Sequence, residues 1–123
     1  MRRATRIVVI EDDAAIREIL DLALSGEGYD VRQARNGEEG LALLAIDGAD
    51  LVLVDMKMPV MDGAEFCRAY ALQPQPGAPV IVMTAASQAV EAALLPGVIE
   101  AIAKPFELDG LLEAVTRNAR RPV

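Results

Sequence analysis

Short apolar segments rich in β-branched residues alternate with helical segments along the whole chain, and this alternation constrains the fold more than any other feature. The apolar segments predict strands over residues 7–10, 31–34, 51–54, 80–83 and 98–103. Helices are predicted over residues 14–25, 36–46, 62–72, 87–95 and 108–120, with Asn36, Asp62 and Ser87 as the caps that begin the middle three. Apolar strands separated by helices have to lie in a parallel sheet that helices cover on both faces. The sequence therefore predicts an α/β fold with a doubly wound, five-stranded parallel sheet.

Length and composition fit a single domain of this kind. The chain has 123 residues, enough for one domain with an apolar core and too few for two of ordinary size. Apolar residues make up 53% of the chain and charged residues 25%, the balance of a globular protein rather than a disordered one. We therefore expect one domain over residues 1–123.

Charge and cysteine content argue against several classes of protein. The formal net charge of −7 repels nucleic acid and anionic membranes, so direct binding to either is not expected. Glu91 and Glu100 interrupt the longest apolar stretch, which leaves no segment long enough to span a bilayer. The single cysteine, Cys67, cannot form an intramolecular disulfide and is interpreted as a small core residue. Together these features predict a soluble, cytoplasmic protein.

Polar side chains follow four of the five predicted strands. Glu11 and Asp12 come after the first strand, Asp55 after the third, Thr84 after the fourth and Lys104 after the fifth. In such sheets, ligands bind outside the carboxyl ends of the strands, where the strand order reverses. Taken one at a time, these residues have ordinary explanations as helix caps, turn residues or solvated charges. Their shared position at one edge instead predicts a functional site.

Three of these side chains, Glu11, Asp12 and Asp55, are carboxylates that repel one another unless a cation neutralises them. The chain has no histidine, and an all-oxygen site with few protein ligands suits Mg²⁺, with Mn²⁺ as the alternative. A carboxylate beside such an ion, with a lysine and a hydroxyl in reach, is equipped for phosphoryl transfer through an acyl phosphate. Asp55 is the expected nucleophile, whereas Asp13 is assigned to the start of the first helix.

Four sequence blocks make this pattern more specific. They are Glu11-Asp12, Asp55-x-x-Met58-Pro59-x-Met61-Asp62-Gly63, Thr84-Ala85 and Lys104-Pro105-Phe106. In this order and approximate spacing, they resemble the receiver domain of two-component response regulators. The resemblance covers nearly the whole chain and implies a flavodoxin-like (βα)5 fold.

The resemblance also implies a role for each residue of the metal site. Asp12 would be a direct metal ligand, and Glu11 would assist through a water molecule. Asp55 would be both a metal ligand and the phosphorylated residue. The backbone carbonyl of Lys57 would complete the protein's share of the metal shell.

The remaining roles concern the phosphoryl group and its donor. By the resemblance, Thr84 would hydrogen-bond the phosphoryl group and Lys104 would pair with it, and the Lys104–Pro105 peptide bond would be cis. The donor would be a sensor histidine kinase or a histidine phosphotransfer protein. Phosphorylation would switch a surface for a downstream protein partner that the sequence does not name. The domain would then be no enzyme in the ordinary sense, since it would catalyse only its own phosphorylation and dephosphorylation.

Two departures from the family pattern affect the switch. Three positions before the lysine, where the family usually has an aromatic residue that rotates inward on activation, this chain has Ala101. The stretch from Thr84 to Lys104 is slightly shorter than usual and contains Pro96-Gly97. We therefore expect a short or displaced fourth helix and a switch that works without the aromatic side chain.

Two other functions are compatible with the fold. One is a pseudo-receiver that serves only as a docking module, although such domains usually lack the aspartate, an acid or the lysine. The other is a small flavodoxin-like or phosphatase-like enzyme, although the short loops leave no cap over a substrate. The sequence leaves open whether the chain is a stand-alone regulator or an excised domain of a larger one.

Overall fold

A computed structural model describes residues 3–74 and 77–120, whose strands form one parallel sheet in the order β2-β1-β3-β4-β5. The strands are β1 (Arg6–Ile10), β2 (Asp30–Ala34), β3 (Leu51–Asp55), β4 (Val80–Ala85) and β5 (Val98–Lys104). The helices are α1 (Ala14–Gly26), α2 (Gly37–Asp47), α3 (Gly63–Ala71), α4 (Ala89–Ala93) and α5 (Leu108–Asn118). The predicted α/β class with five parallel strands is confirmed.

Helices cover both faces of the sheet, as the apolar strands require. On one face, Ile7 and Val9 of β1 belong to a buried cluster with residues of α1 and α5. On the other face, Val8 and Ile10 belong to a cluster with residues of α2, α3 and α4. The alternation of side chains along one strand therefore supplies both halves of the core.

Cys67 lies in the second of these clusters, on α3, and is 1% exposed. Burial raises the pKa of its thiol to about 11, which keeps it protonated and unreactive at neutral pH. Its interpretation as a core residue is confirmed. No helix in the described parts of the chain is long and apolar enough to cross a membrane.

Polar side chains cap the N-termini of three helices. Asp13 caps α1 by accepting hydrogen bonds from two backbone N–H groups of the first turn, and Asn36 caps α2 by accepting one from the Glu39 N–H. Asp62 and Glu65 form a reciprocal capping box at the start of α3. The assignment of Asp13 to the first helix and the predicted caps at Asn36 and Asp62 are confirmed.

The fourth helix differs from its prediction at both ends. A 3₁₀ turn over Ala86–Gln88 precedes α4, so Ser87 lies inside the turn and makes no cap, and the prediction of a cap at Ser87 was wrong. The helix ends at Ala93 rather than near residue 95, because Pro96 and then Gly97, with φ of +77°, redirect the chain. The expectation of a short fourth helix is confirmed.

The connection from β1 to β2 runs toward one edge of the sheet. The strand β3 lies on the other side of β1, and its connection to β4 runs toward the opposite edge. The loops after β1 and β3 therefore diverge and leave a crevice between them at the carboxyl edge. The residues that follow these two strands, together with those that follow β4 and β5, are placed around this crevice.

Candidate functional site

Asp55 is the last residue of β3, a strand buried along its whole length, and is itself only 6% exposed. Just beyond it, the chain turns back into α3 at Gly63, where a Cβ atom would lie 2.7 Å from the Asp55 carbonyl oxygen and 2.8 Å from Met56 Cα. Because both are backbone atoms, only glycine permits this close approach of helix to strand. Glycine at this position therefore lets the loop after Asp55 close tightly over the strand end.

Glu11 and Asp12 follow β1, next to β3. The Glu11 N–H donates to the Ala34 carbonyl oxygen at 3.0 Å, which continues the pairing of β1 with β2 by one residue. The Glu11 side chain is fully buried, whereas Asp12 is exposed. Carboxylate oxygens of Glu11, Asp12 and Asp55 lie within 4.8 Å of one another. The structure thus brings the three predicted acids together.

Lys104 reaches this cluster from the end of β5. Its Nζ lies 2.7 Å from Asp55 Oδ1 and 3.2 Å from Glu11 Oε1, so one ammonium group contacts two carboxylates. Burial opposes its charge, but the hydrogen bond and attraction to Asp55 and the contact with Glu11 raise the pKa of Lys104 overall. The Lys104–Pro105 peptide bond is cis, as expected.

One lysine does not neutralise the cluster. Burial and the nearby Asp55 charge raise the pKa of Glu11 to about 7, with Lys104 opposing the shift. Glu11 Oε2 is buried and has no hydrogen-bond partner among the described residues. A buried acceptor without a donor, beside two further carboxylates, fits a hard divalent cation that takes oxygen ligands. The residues present therefore suit the predicted Mg²⁺ or Mn²⁺.

Thr84 lies near the end of β4, and Lys57 follows β3. Thr84, on β4 beside β3, is 2% exposed, and its hydroxyl donates to Gln88 Oε1 at 3.4 Å. Lys57 and Asp12 both line an open cleft of about 440 Å³ over the loop that follows β3. Each predicted site residue is thus at the carboxyl edge of the sheet.

Sequence reasoning missed one residue that contacts the site, Arg17 of α1. Its Nη1 donates to the Glu11 carbonyl oxygen at 2.7 Å. The sequence could have indicated this contact. A cation one turn into a helix interacts unfavourably with the helix dipole, so its side chain is expected to have a compensating partner. Arg17 is four residues after the cap Asp13, at such a position.

The amino-acid sequence places this chain among known proteins. The family model of the response regulator receiver domain matches residues 7–116. The response regulator MprA of Mycolicibacterium vanbaalenii is 40% identical over 118 residues, which cover 94% of this chain and 51% of that protein. MprA of Mycobacterium bovis is 38% identical over 120 residues, covering 96% and 52%. The chain thus spans about half the length of the curated relatives it matches.

Solved structures agree with this placement. The chemotaxis protein CheY4 of Vibrio cholerae superposes with a TM-score of 0.86 at 28% identity, covering 94% of this chain and 99% of CheY4. The response regulator TrrA of Thermotoga maritima, solved in complex with Mg²⁺ and BeF, gives a TM-score of 0.82 at 31% identity, covering 92% and 97%. With its CheY-like fold and a family match over most of its length, the chain belongs to the response regulator receiver domain family.

Proposed function

We propose that Asp55 accepts a phosphoryl group from a phosphohistidine of a sensor histidine kinase or a histidine phosphotransfer protein, and that this switches a protein-binding surface. The observation that carries the proposal is the contact of 2.7 Å between Lys104 Nζ and Asp55 Oδ1, inside a cluster of three carboxylates. An ion pair that only stabilised the fold would require neither Asp12 nor the Glu11 oxygen that has no hydrogen-bond partner among the described residues. The combination fits a nucleophile held beside a metal and a counter-charge.

The reaction is a displacement at phosphorus. A carboxylate oxygen of Asp55 forms the new P–O bond while the P–N bond to the donor imidazole breaks, and the imidazole nitrogen takes the electron pair and a proton from solvent. Lys104 stays protonated, as its raised pKa requires, and offsets the negative charge on the transferring oxygens. The Thr84 hydroxyl exchanges its contact with Gln88 for one with a phosphoryl oxygen.

The acidic residues hold the metal ion that this chemistry needs. Asp12 and Asp55 would ligate Mg²⁺ directly, Glu11 through water, and Lys57 through its backbone carbonyl, with Mn²⁺ able to replace Mg²⁺. When bound, the ion neutralises charge on the phosphoryl oxygens. Asp12 would contribute an exposed carboxylate at the crevice mouth, and the buried Glu11 would contribute the oxygen that has no donor among the described residues.

Labelling by a small phosphodonor tests the proposal. Incubation of the chain with acetyl phosphate and Mg²⁺ should add one phosphoryl group by intact-mass analysis, and removal of Mg²⁺ with a chelator should abolish the addition. Asp55→Asn should stay unlabelled. Asp109→Asn, which changes an exposed aspartate on α5 outside the site, serves as the control and should be labelled like wild type.

Three outcomes would contradict the proposal. Equal labelling of Asp55→Asn and wild type would remove Asp55 as the acceptor. Sustained release of phosphate from a small phosphate ester, many turnovers per chain, would favour an enzyme acting on an external substrate. An unlabelled wild type that still bound a protein partner would favour a docking module.

A further inference from the structure

Arg17 lies in an unfavourable place for a cation and is nevertheless held there by specific contacts. It is half-buried, its N–H donates to the carbonyl of the helix cap Asp13 at 2.9 Å, and so it belongs to the first turns of α1. The N-terminus of a helix favours anions over cations. The contacts that the Arg17 side chain makes therefore have to compensate for this unfavourable position.

The Arg17 side chain bridges three elements. Its Nη1 donates to the Glu11 carbonyl oxygen, at the end of β1, at 2.7 Å, and its Nε donates to Gln33 Oε1, on β2, at 3.1 Å. Gln33 is oriented in turn, because its Nε2 donates to Asp21 Oδ2 of α1 at 2.5 Å. The planar guanidinium presents its donors in a fixed geometry, so two bonds in different directions fix its plane.

The bond to Glu11 acts on the metal site through the backbone. The Glu11 carbonyl and the Asp12 N–H belong to one planar peptide unit, so holding the oxygen sets the direction in which Asp12 leaves the strand. The Glu11 N–H is already held by the Ala34 carbonyl. Glu11 is thus fixed on both sides. Asp12 is exposed, so burial does not fix its position, and its direction depends on the backbone that carries it.

We propose that Arg17 is a positioning residue that sets the affinity of the site for Mg²⁺ by holding the Glu11–Asp12 peptide in its metal-binding orientation. The inference rests on the proposed function, since it takes Glu11, Asp12 and Asp55 as the metal site. Arg17 itself touches neither the metal nor the phosphoryl group. Its effect is geometric, and it depends on the directed hydrogen bonds of the guanidinium rather than on its charge alone.

Mg²⁺ titrations of the metal-free chain, followed by NMR at the amides of Asp12 and Asp13, test this inference with four proteins. These are wild type, Arg17→Lys, Arg17→Met and Arg35→Met. Arg35 is the matched control, because it is an arginine that follows β2 at the carboxyl edge and its side chain pairs with Glu39, Nε to Oε2 at 3.0 Å. Removing a residue that orients a metal ligand typically weakens metal binding about 10-fold or more. We expect this loss in both Arg17 variants, and unchanged binding in Arg35→Met.

The comparison separates geometry from charge and from general stability. Wild-type affinity in Arg17→Lys would overturn the inference, because the charge alone would then suffice. An equal loss in Arg35→Met would also overturn it, since that would mean a long-range electrostatic effect. Melting of each variant without Mg²⁺ shows that the titrations are made on folded protein, and a melting change with unaltered Mg²⁺ affinity would reduce Arg17 to a structural role and overturn the inference.

The same titrations distinguish failure of this inference from failure of the proposed function. Absence of Mg²⁺ binding by wild type would overturn both. Wild-type binding with unaltered Arg17 variants would overturn only the role of Arg17. Gln33→Leu, which removes the support of Arg17 Nε and leaves its bond to Glu11, should give a smaller loss than Arg17→Met.

Discussion

The clustered carboxylates of the site are expected to lower the stability of the metal-free fold. The carboxylates of Asp55 and the buried Glu11 lie close together, and the single positive charge of Lys104 neutralises only part of their negative charge. Residues arranged in this way are expected to be strained without a cation and relieved with one. Stability and metal binding should therefore respond in opposite directions to loss of an acid.

Asp12→Ala separates these two responses. The variant should bind Mg²⁺ more weakly because a ligand is lost, while its metal-free form should melt no lower than wild type because one repelling charge is gone. Thermal melting with and without Mg²⁺ measures both effects. An equal upward shift by Mg²⁺ in variant and wild type would show that Asp12 is not a ligand.

Gly63→Ala tests the close approach of α3 to the end of β3. The added methyl group would meet the Asp55 carbonyl oxygen and Met56 Cα below 3.0 Å, and because these are backbone atoms the loop has to move. We expect a destabilisation of about 1–3 kcal/mol in urea unfolding. Gly110→Ala is the control, since its methyl group has no atom within 4 Å and alanine favours a helix. Equal stability of the two variants would contradict this reading of the loop.

At the scale of elements, the carboxyl edge of the sheet contains the site, whereas an ion-pair network joins elements at the opposite edge. Asp50, just before β3, is 4% exposed and accepts hydrogen bonds from the Arg3 guanidinium and the Arg6 N–H. Its carbonyl accepts from the Arg120 N–H at 2.9 Å. One residue thus ties the start of β1 to the chain after α5.

The Asp50 network predicts an acid dependence of stability. Burial opposes ionisation, but the Arg3 guanidinium and the Arg6 N–H outweigh it and hold the pKa of Asp50 below its ordinary value of 3.8. A lowered folded-state pKa gives stability that is present above the ordinary value and is lost as pH falls through the folded value. Asp50→Asn should therefore be less stable than wild type at neutral pH, on the order of 1 kcal/mol because Arg3 is half-exposed.

Urea unfolding at neutral pH and in acid checks this sign. The difference between wild type and Asp50→Asn should shrink as pH falls below 3.8. Glu113→Gln, an exposed change on α5, is the control for the removal of a surface carboxylate. A stability difference that grew in acid would contradict the assigned pKa direction.

The segment between β4 and β5 is the element expected to transmit phosphorylation. Among the described residues, the Thr84 hydroxyl has one weak hydrogen bond, to Gln88 at the end of the 3₁₀ turn. The helix α4 is short, and Val90 on it and Leu94 just after it are exposed. Ala101 offers no large side chain to rotate into space that Thr84 leaves. We therefore expect backbone displacement between Thr84 and Gly97, and under the proposed function a partner would sense it at the surface of α4.

Backbone NMR with and without a beryllofluoride phosphoryl mimic measures this displacement. Large shifts should cluster between Thr84 and Gly97 as well as around Asp55. Thr84→Ala should lose the first group and keep the second. Shifts confined to the metal and phosphoryl ligands of wild type, or an unaltered response in Thr84→Ala, would exclude this route.

At the scale of the whole molecule, strand order decides which parts of the site the sequence could predict. Apolar strands and capped helices are local patterns, and parallel pairing then forces the residues after the strands to one edge, so the meeting of Glu11, Asp12, Asp55 and Lys104 follows from the sequence. The position of Arg17 near a helix N-terminus indicates that its side chain needs a contact, but the partners of Arg17 and Asp50 could not be predicted, since they depend on how separate elements pack. The prediction of a cap at Ser87 was wrong because β4 extends to Ala85 and a 3₁₀ turn follows it before the helix begins.

Chemical mapping of the phosphorylated residue tests the central claim most directly. After incubation with acetyl phosphate and Mg²⁺, borohydride reduces an aspartyl phosphate to homoserine, and peptide mass spectrometry locates that homoserine in the sequence. Homoserine is expected at position 55 and nowhere else, at a yield that falls when Mg²⁺ is removed. Homoserine at Asp12 or Asp62, or an equal yield without Mg²⁺, would contradict the central claim.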